Sequence, residues 1–134
     1  MYLFIDTADL QNLTVALIEK GQILIQKTIS AKYQQVEKLL PTIDQILKKT
    51  KISIKKIQGI VVVSGPGPFT AIRIGIATAN ALAFSLNVPV ISFLKDDFNS
   101  LEDLAKKLIE TKLAKNISQL AVPAYGKEPN ITIK

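Results

Sequence analysis

The chain has 134 residues, 48% of them hydrophobic and 21% charged, enough to bury one core and too few for a second domain of comparable size. It contains no cysteine and no histidine, which excludes disulfides, thiolate nucleophiles and imidazole ligands and leaves Ser, Thr, Asp, Glu, Lys and Tyr as the available catalytic groups. The formal charge of +6 comes from 16 lysines and one arginine; residues 1–94 hold ten basic and five acidic groups, residues 95–134 seven and six. Any metal site would have to be built of carboxylates, and we expect no metal. Met1 leads straight into an apolar run without a basic segment ahead of it, and no stretch reaches the roughly 20 uninterrupted apolar residues of a membrane span. A cytoplasmic chain without a membrane partner is expected.

Three short strands open the chain, at Tyr2–Thr7, Leu13–Glu19 and Gln22–Ile29, the last two joined by Lys20-Gly21 in a tight hairpin. From Lys32 to Lys48, the apolar residues Val36, Leu39, Leu40, Ile43, Ile46 and Leu47 recur at spacings of three and four, the stripe of an amphipathic helix. Pro41 lies inside it and predicts a kink or a short restart. A helical turn at Ser53–Ile57 leads into Gly59–Ser64, whose Ile60-Val61-Val62-Val63 run is apolar on both faces, as in a central parallel strand. The loop from Gly65 to Thr70 then opens a helix at Ala71–Leu86, closed by Asn87, and Val90–Phe93 is a further strand.

This order predicts an α/β fold with a mixed sheet: a three-stranded antiparallel meander followed by helix, strand, helix, strand. It is the order of a ribonuclease H-like unit, the half-domain of actin-like ATPases. Residues 1–94 form this lobe. Residues 95–134 read as a short extension, a helix at about 100–113 capped by Ser100 with one face of Leu101, Leu104, Leu108 and Leu113, and then a tail.

Three places could carry function. The first is the strand–loop–helix junction, which sets backbone N–H groups before an anion. Asp6 and Thr7 at the end of the first strand, Gly65 and Gly67 in the loop, Thr70 as helix cap and Arg73 in the first turn are its phosphate-binding candidates. Against this, Pro66 and Pro68 remove two N–H donors, no Gly-Lys-Ser/Thr follows, and an Asp at a strand end is commonly a turn former. The second is the helix Ala71–Leu86, apolar around nearly its whole circumference and therefore covered on more than one side. Gly75, Ala79 and Ala83 stand at i, i+4 and i+8, a line along which another helix could approach closely. With Ile72, Ile76, Val36 and Leu40 they make the expected partner interface; the alternative is that the other two helices of the chain do the covering. The third is the cluster Lys48, Lys49, Lys51, Lys55 and Lys56, able to attract RNA or an acidic protein face, or simply a solvated helix end. No aromatic residue interleaves with it to stack a base.

Tyr2-Leu-Phe-Ile-Asp-Thr-Ala8 resembles the opening strand of the TsaB (YeaZ-type) family of tRNA threonylcarbamoyladenosine biosynthesis proteins. Gly65-Pro-Gly-Pro-Phe-Thr-Ala-Ile-Arg-Ile-Gly-Ile-Ala-Thr-Ala-Asn-Ala-Leu-Ala83 is similar to that family's signature, with Pro68 where the family has Ser and Ala71 where it has Gly. The helix Glu37–Leu47, with its internal proline, fits as well, and Pro123-Ala-Tyr125 echoes a closing segment. The resemblance covers residues 1–94; some forty residues stand where the family has a second lobe. It implies the actin-like (ASKHA) fold and a non-catalytic subunit that binds and stabilises the catalytic TsaD through helices of this lobe, works with the ATPase TsaE, and meets tRNA only indirectly. A homodimer is implied when the partner is absent. The catalytic relative binds its metal through histidines, and these 134 residues hold none. No resident cofactor is expected, with a nucleotide possible at a shared interface. The competing reading is a nucleotide-binding actin-like switch using Asp6, Thr7 and the Gly65–Thr70 loop.

Overall fold

The computed structural model describes residues 1–110 and the short strand Ile117–Ser118. One mixed sheet of six strands runs in the order β3-β2-β1-β4-β5-β6. β1 (Tyr2–Asp6), β2 (Asn12–Glu19) and β3 (Gln22–Ser30) form the antiparallel meander. β4 (Gly59–Val63) lies parallel to β1 and β5 (Val90–Phe93) parallel to β4, and β6 (Ile117–Ser118) pairs antiparallel with β5. Helix α1 (Gln35–Thr50) connects β3 to β4, α2 (Phe69–Leu86) connects β4 to β5, and α3 (Leu101–Glu110) follows β5.

The local chemistry explains these elements. All five residues of β4 are buried, as a central strand covered on both faces requires. Lys20 and Gly21 both take positive φ, 52° and 76°, the demand of a two-residue hairpin turn. α1 starts at Gln35, three residues later than the periodicity suggests, because Tyr33 sits in the left-handed region at φ 62° and turns the chain first. Pro41 stays within this helix without ending it. α2 starts two residues early, at Phe69, with Pro68 in the N-cap position and Asn87 closing it in the left-handed conformation. Thr70 is therefore not the cap but an exposed first-turn residue.

Register places Leu3, Ile5, Val15, Leu17, Ile60 and Val62 on one face of the sheet. α1 and α2 pack there: Lys27, opposite Val15, reaches Gln45 of α1 at 2.7 Å. On the other face lie Phe4, Ala16, Ile18, Val61, Ile91 and Phe93, all buried. α3 covers that face with Leu104, Ala105 and Leu108, its Ile109 reaching the Gly21 hairpin beside Ile18. The carboxy-terminal helix thus plugs the second side of the sheet and leaves the outside of α2 open. The expected residues Leu113 and Pro123–Tyr125 lie outside the described residues.

By length and hydropathy α2 equals a membrane span, yet its inner side is part of this core.

Candidate functional site

β1 ends at Asp6, and the chain after it runs under the glycine loop. The Asp6 carboxylate accepts a hydrogen bond from the Ala8 N–H at 2.8 Å, an Asx-type turn. Burial pushes its pKa up, opposed by that N–H and by the nearby Lys95 cation, while Asp9 pushes it up further. Thr7 is fully buried and its hydroxyl donates to the Ala71 carbonyl at 2.6 Å, tying the strand end to the first turns of α2. Gly65 has φ 126°, open to glycine and strained for other residues, and its carbonyl accepts from the Lys95 N–H at 2.8 Å. Gly67 lies so close to the Ala8 backbone that a Cβ there would overlap the Ala8 carbonyl. Buried Ser64 donates to the Phe93 carbonyl and accepts from Ser92 at 3.0 Å, fixing the loop to the end of β5.

The structure therefore gathers Asp6, Thr7, Gly65 and Gly67 at one junction. Thr70 and Arg73 stand apart on the exposed side of α2, the Arg73 guanidinium lying 5.0 Å from the Phe69 ring centroid. Among the described residues no group of three or more Asp and Glu is placed to hold a metal ion.

The small-residue line faces the other way from its expectation. Ile72, Gly75, Ile76, Ala79 and Ala83 are buried within the chain's own core, so they are not available to a partner. The reason is the closeness of α2 to the sheet: a Cβ on Gly75 would collide with the Thr7 hydroxyl. Val36 and Leu40, from the same expectation, do stand on the surface, 68% and 54% exposed.

What α2 offers outward is a different row, Phe69, Arg73, Ala77, Ala81 and Phe84, at spacings of three and four. Phe84 is 89% exposed. Where the first turns of α1 and α2 meet, Leu10, Tyr33, Val36, Pro68, Phe69 and Ile74 line an open apolar cleft of about 340 Å³. A sequence reading could not select this row, because a helix apolar all round does not declare which side faces in. Tyr33, Phe69 and Phe84 were the missed signals: large aromatics in or beside otherwise small or polar positions.

A family model described as "TsaD: tRNA N6-adenosine threonylcarbamoyltransferase" matches residues 23–94, more than half of the chain. The chain belongs to this family. It is of the TsaB type: a tRNA threonylcarbamoyladenosine biosynthesis protein TsaB of Buchnera aphidicola is 32% identical over 105 residues, 78% of this chain and 47% of that one. The similarity extends to a tRNA N6-adenosine threonylcarbamoyltransferase of Geotalea daltonii, 41% identical over 61 residues, 46% of this chain and 18% of that one. Among solved structures, YeaZ from Pseudomonas aeruginosa superimposes with a TM-score of 0.65 at 28% identity, over 69% of this chain and 43% of that chain. The fold is the actin-like, ribonuclease H-like one. The chain spans less than half the length of these relatives.

Proposed function

We propose that this TsaB-type chain is a partner subunit, without chemistry of its own, in the synthesis of N6-threonylcarbamoyladenosine in tRNA. It docks on and stabilises a threonylcarbamoyltransferase of the TsaD type. The observation that carries the reading is the exposed apolar surface formed by Val36 and Leu40 of α1 with Phe69, Ala77, Ala81 and Phe84 of α2. Four large side chains on adjoining helices, Val36, Leu40, Phe69 and Phe84, are each more than half exposed, the composition of an interface core that a partner covers. The cleft beside Tyr33 and Phe69 offers a socket for an apolar anchor side chain of that partner. The lack of histidine in these 134 residues supports a subunit that leaves metal chemistry to its partner.

The test is co-expression with the TsaD and TsaE proteins of the same organism, followed by gel filtration with light scattering. A hetero-complex is expected, lost in V36E/L40E and in F84E. A wild-type chain that elutes alone, or variants that retain the complex, would overturn the assignment. Persistence of a homodimer beside TsaD would assign the same face to self-association.

The nucleotide-switch alternative has less support. The Thr7 hydroxyl is committed to the Ala71 carbonyl, and Arg73 lies on Phe69, away from the Asp6 junction. Calorimetric titration with ATP and magnesium is expected to give no saturable heat; binding abolished by Asp6→Ala would restore the switch.

A further inference from the structure

We infer that the carboxy-terminal corner of α1 is a second contact surface, for the phosphodiester backbone of a structured RNA. The choice of RNA rests on the proposed role in tRNA modification; the charge and geometry of the corner do not.

Lys48 and Lys49 occupy the last turn of α1, and Lys51 follows as its left-handed cap at φ 59°. That reversal folds the chain back on the helix end, with the Lys51 N–H on the Lys48 carbonyl at 3.1 Å and the Ile52 N–H on the Leu47 carbonyl at 3.0 Å. The next turn, Ile54–Lys56, is thereby brought up beside the helix and carries Lys55 and Lys56. A cluster that is linear in sequence becomes one corner, with Lys48, Lys51, Ser53 and Asp44 around a shallow depression floored by Leu47, Ile52 and Ile54. All five lysines are exposed.

Helix-end electrostatics account for part of this only. The partial negative charge of a helix C-terminus favours cations in its last turn, which covers Lys48 and Lys49. Lys55 and Lys56 are on the following turn, outside the last turn of the helix. Among the described residues one carboxylate is ion-paired with these five cations: Asp44, 3.0 Å from Lys48. The corner therefore holds a concentrated net positive charge, offset in part by Asp44, a feature that attracts a polyanion.

The chemistry distinguishes between anionic partners. Lysines are depleted in protein–protein interfaces, where arginine and aromatics dominate, and among the described residues that line this corner there is neither. Lysine is a flexible, strongly hydrated point charge that suits phosphate oxygens without reading sequence. The absence of aromatics that ruled out base stacking is no objection to backbone contact. Val36 and Lys49 are separated by about 20 Å along the axis of α1 at 1.5 Å per residue. On α1 itself, the residues offered to a protein partner and those offered to RNA are therefore distinct.

The experiment measures binding of the full chain to an unmodified tRNA transcript by fluorescence anisotropy over a series of salt concentrations. K51Q/K55Q/K56Q, checked for an unchanged thermal melt, is expected to weaken binding and to flatten the slope of log Kd against log salt by about 2 to 3, at 0.7 to 0.9 per lost phosphate contact. K48Q/K49Q is the second variant and acts in the same direction. V36E/L40E is expected to bind the tRNA as wild type does, and the triple lysine variant to co-purify with TsaD as wild type does, so that failure of either surface is seen separately. No saturable binding by the wild type, or an unchanged slope in both lysine variants, would overturn the inference. So would tight binding to polyglutamate in place of tRNA, which would make the corner a site for an acidic protein.

Discussion

Ala77 and Ala81 on the outer side of α2 are chemically alike to Ala79 and Ala83 on its inner side, yet the two sides do different work. Inside, the small residues let the helix lie down on β4 and β1, with Gly75 directly over Thr7. Outside, the alanines lie between Phe69 and Phe84, flat ground flanked by two large rings. A row of small residues marks close approach but does not say to what. The nearest neighbour decides, and for α2 the inner row was claimed by the chain's own sheet.

Gly75→Leu should break that division most severely. The new side chain must displace the Thr7 hydroxyl from a site with no spare room, at a cost of about 3 kcal/mol or more, and the cooperative melt is expected to collapse or the chain to be lost from the soluble fraction. Thr7→Val keeps the volume but removes the hydrogen bond to Ala71; a loss of about 1 kcal/mol in urea unfolding is expected, since that carbonyl keeps its place in the helix. On the outer side, Phe84→Glu should move stability by no more than about 0.5 kcal/mol. The same change should weaken TsaD binding at least tenfold, about 1.4 kcal/mol, by placing a charge in a desolvated interface. A Phe84→Glu variant that unfolded instead would show that the outer row also serves the fold.

The smallest effect concerns pH. Burial raises the Asp6 pKa above its unfolded value of 3.8, so the folded chain holds this proton more tightly than the unfolded one. The stabilising contribution is complete below the unfolded pKa and is lost as pH rises through the folded pKa, above which the carboxylate is a buried charge. Asp6→Asn, which can still accept from the Ala8 N–H, should raise the Tm at pH 7 and converge with wild type below about pH 3.8.

These contrasts also mark what sequence could convey. The meander, β4 and the asymmetry of α1 were legible because each has a period or a β-branched run that admits one local solution. Asp6, Thr7 and the glycine loop were legible as a junction because strand, loop and helix follow one another along the chain. The orientation of α2 was not: apolar on all sides, it lacks the amphipathic signal that tells a helix which way to turn, and the Gly75–Thr7 contact joins residues far apart in sequence. The placement of α3 on the opposite face was hidden for a similar reason, since its apolar stripe states that it packs and not where. For the lysines, composition gave the cluster, but the left-handed turn at Lys51 that makes it compact has no marker, because a lysine there carries none of the signature of Gly or Asn.

The sheet order has a kinetic consequence. β1 pairs with β2 across a short loop, but its other edge must wait for β4, with Tyr2 set opposite Gly59. The hairpin strands can meet early, since their contacts are local. Their shared face stays bare until the intervening chain has coiled into α1 and brought β4 alongside. Until then residues 1–30 are a sticky ribbon with two open edges; the arrival of α1, with β4 behind it, covers one face and closes the β1 edge, while β3 stays at the border of the sheet.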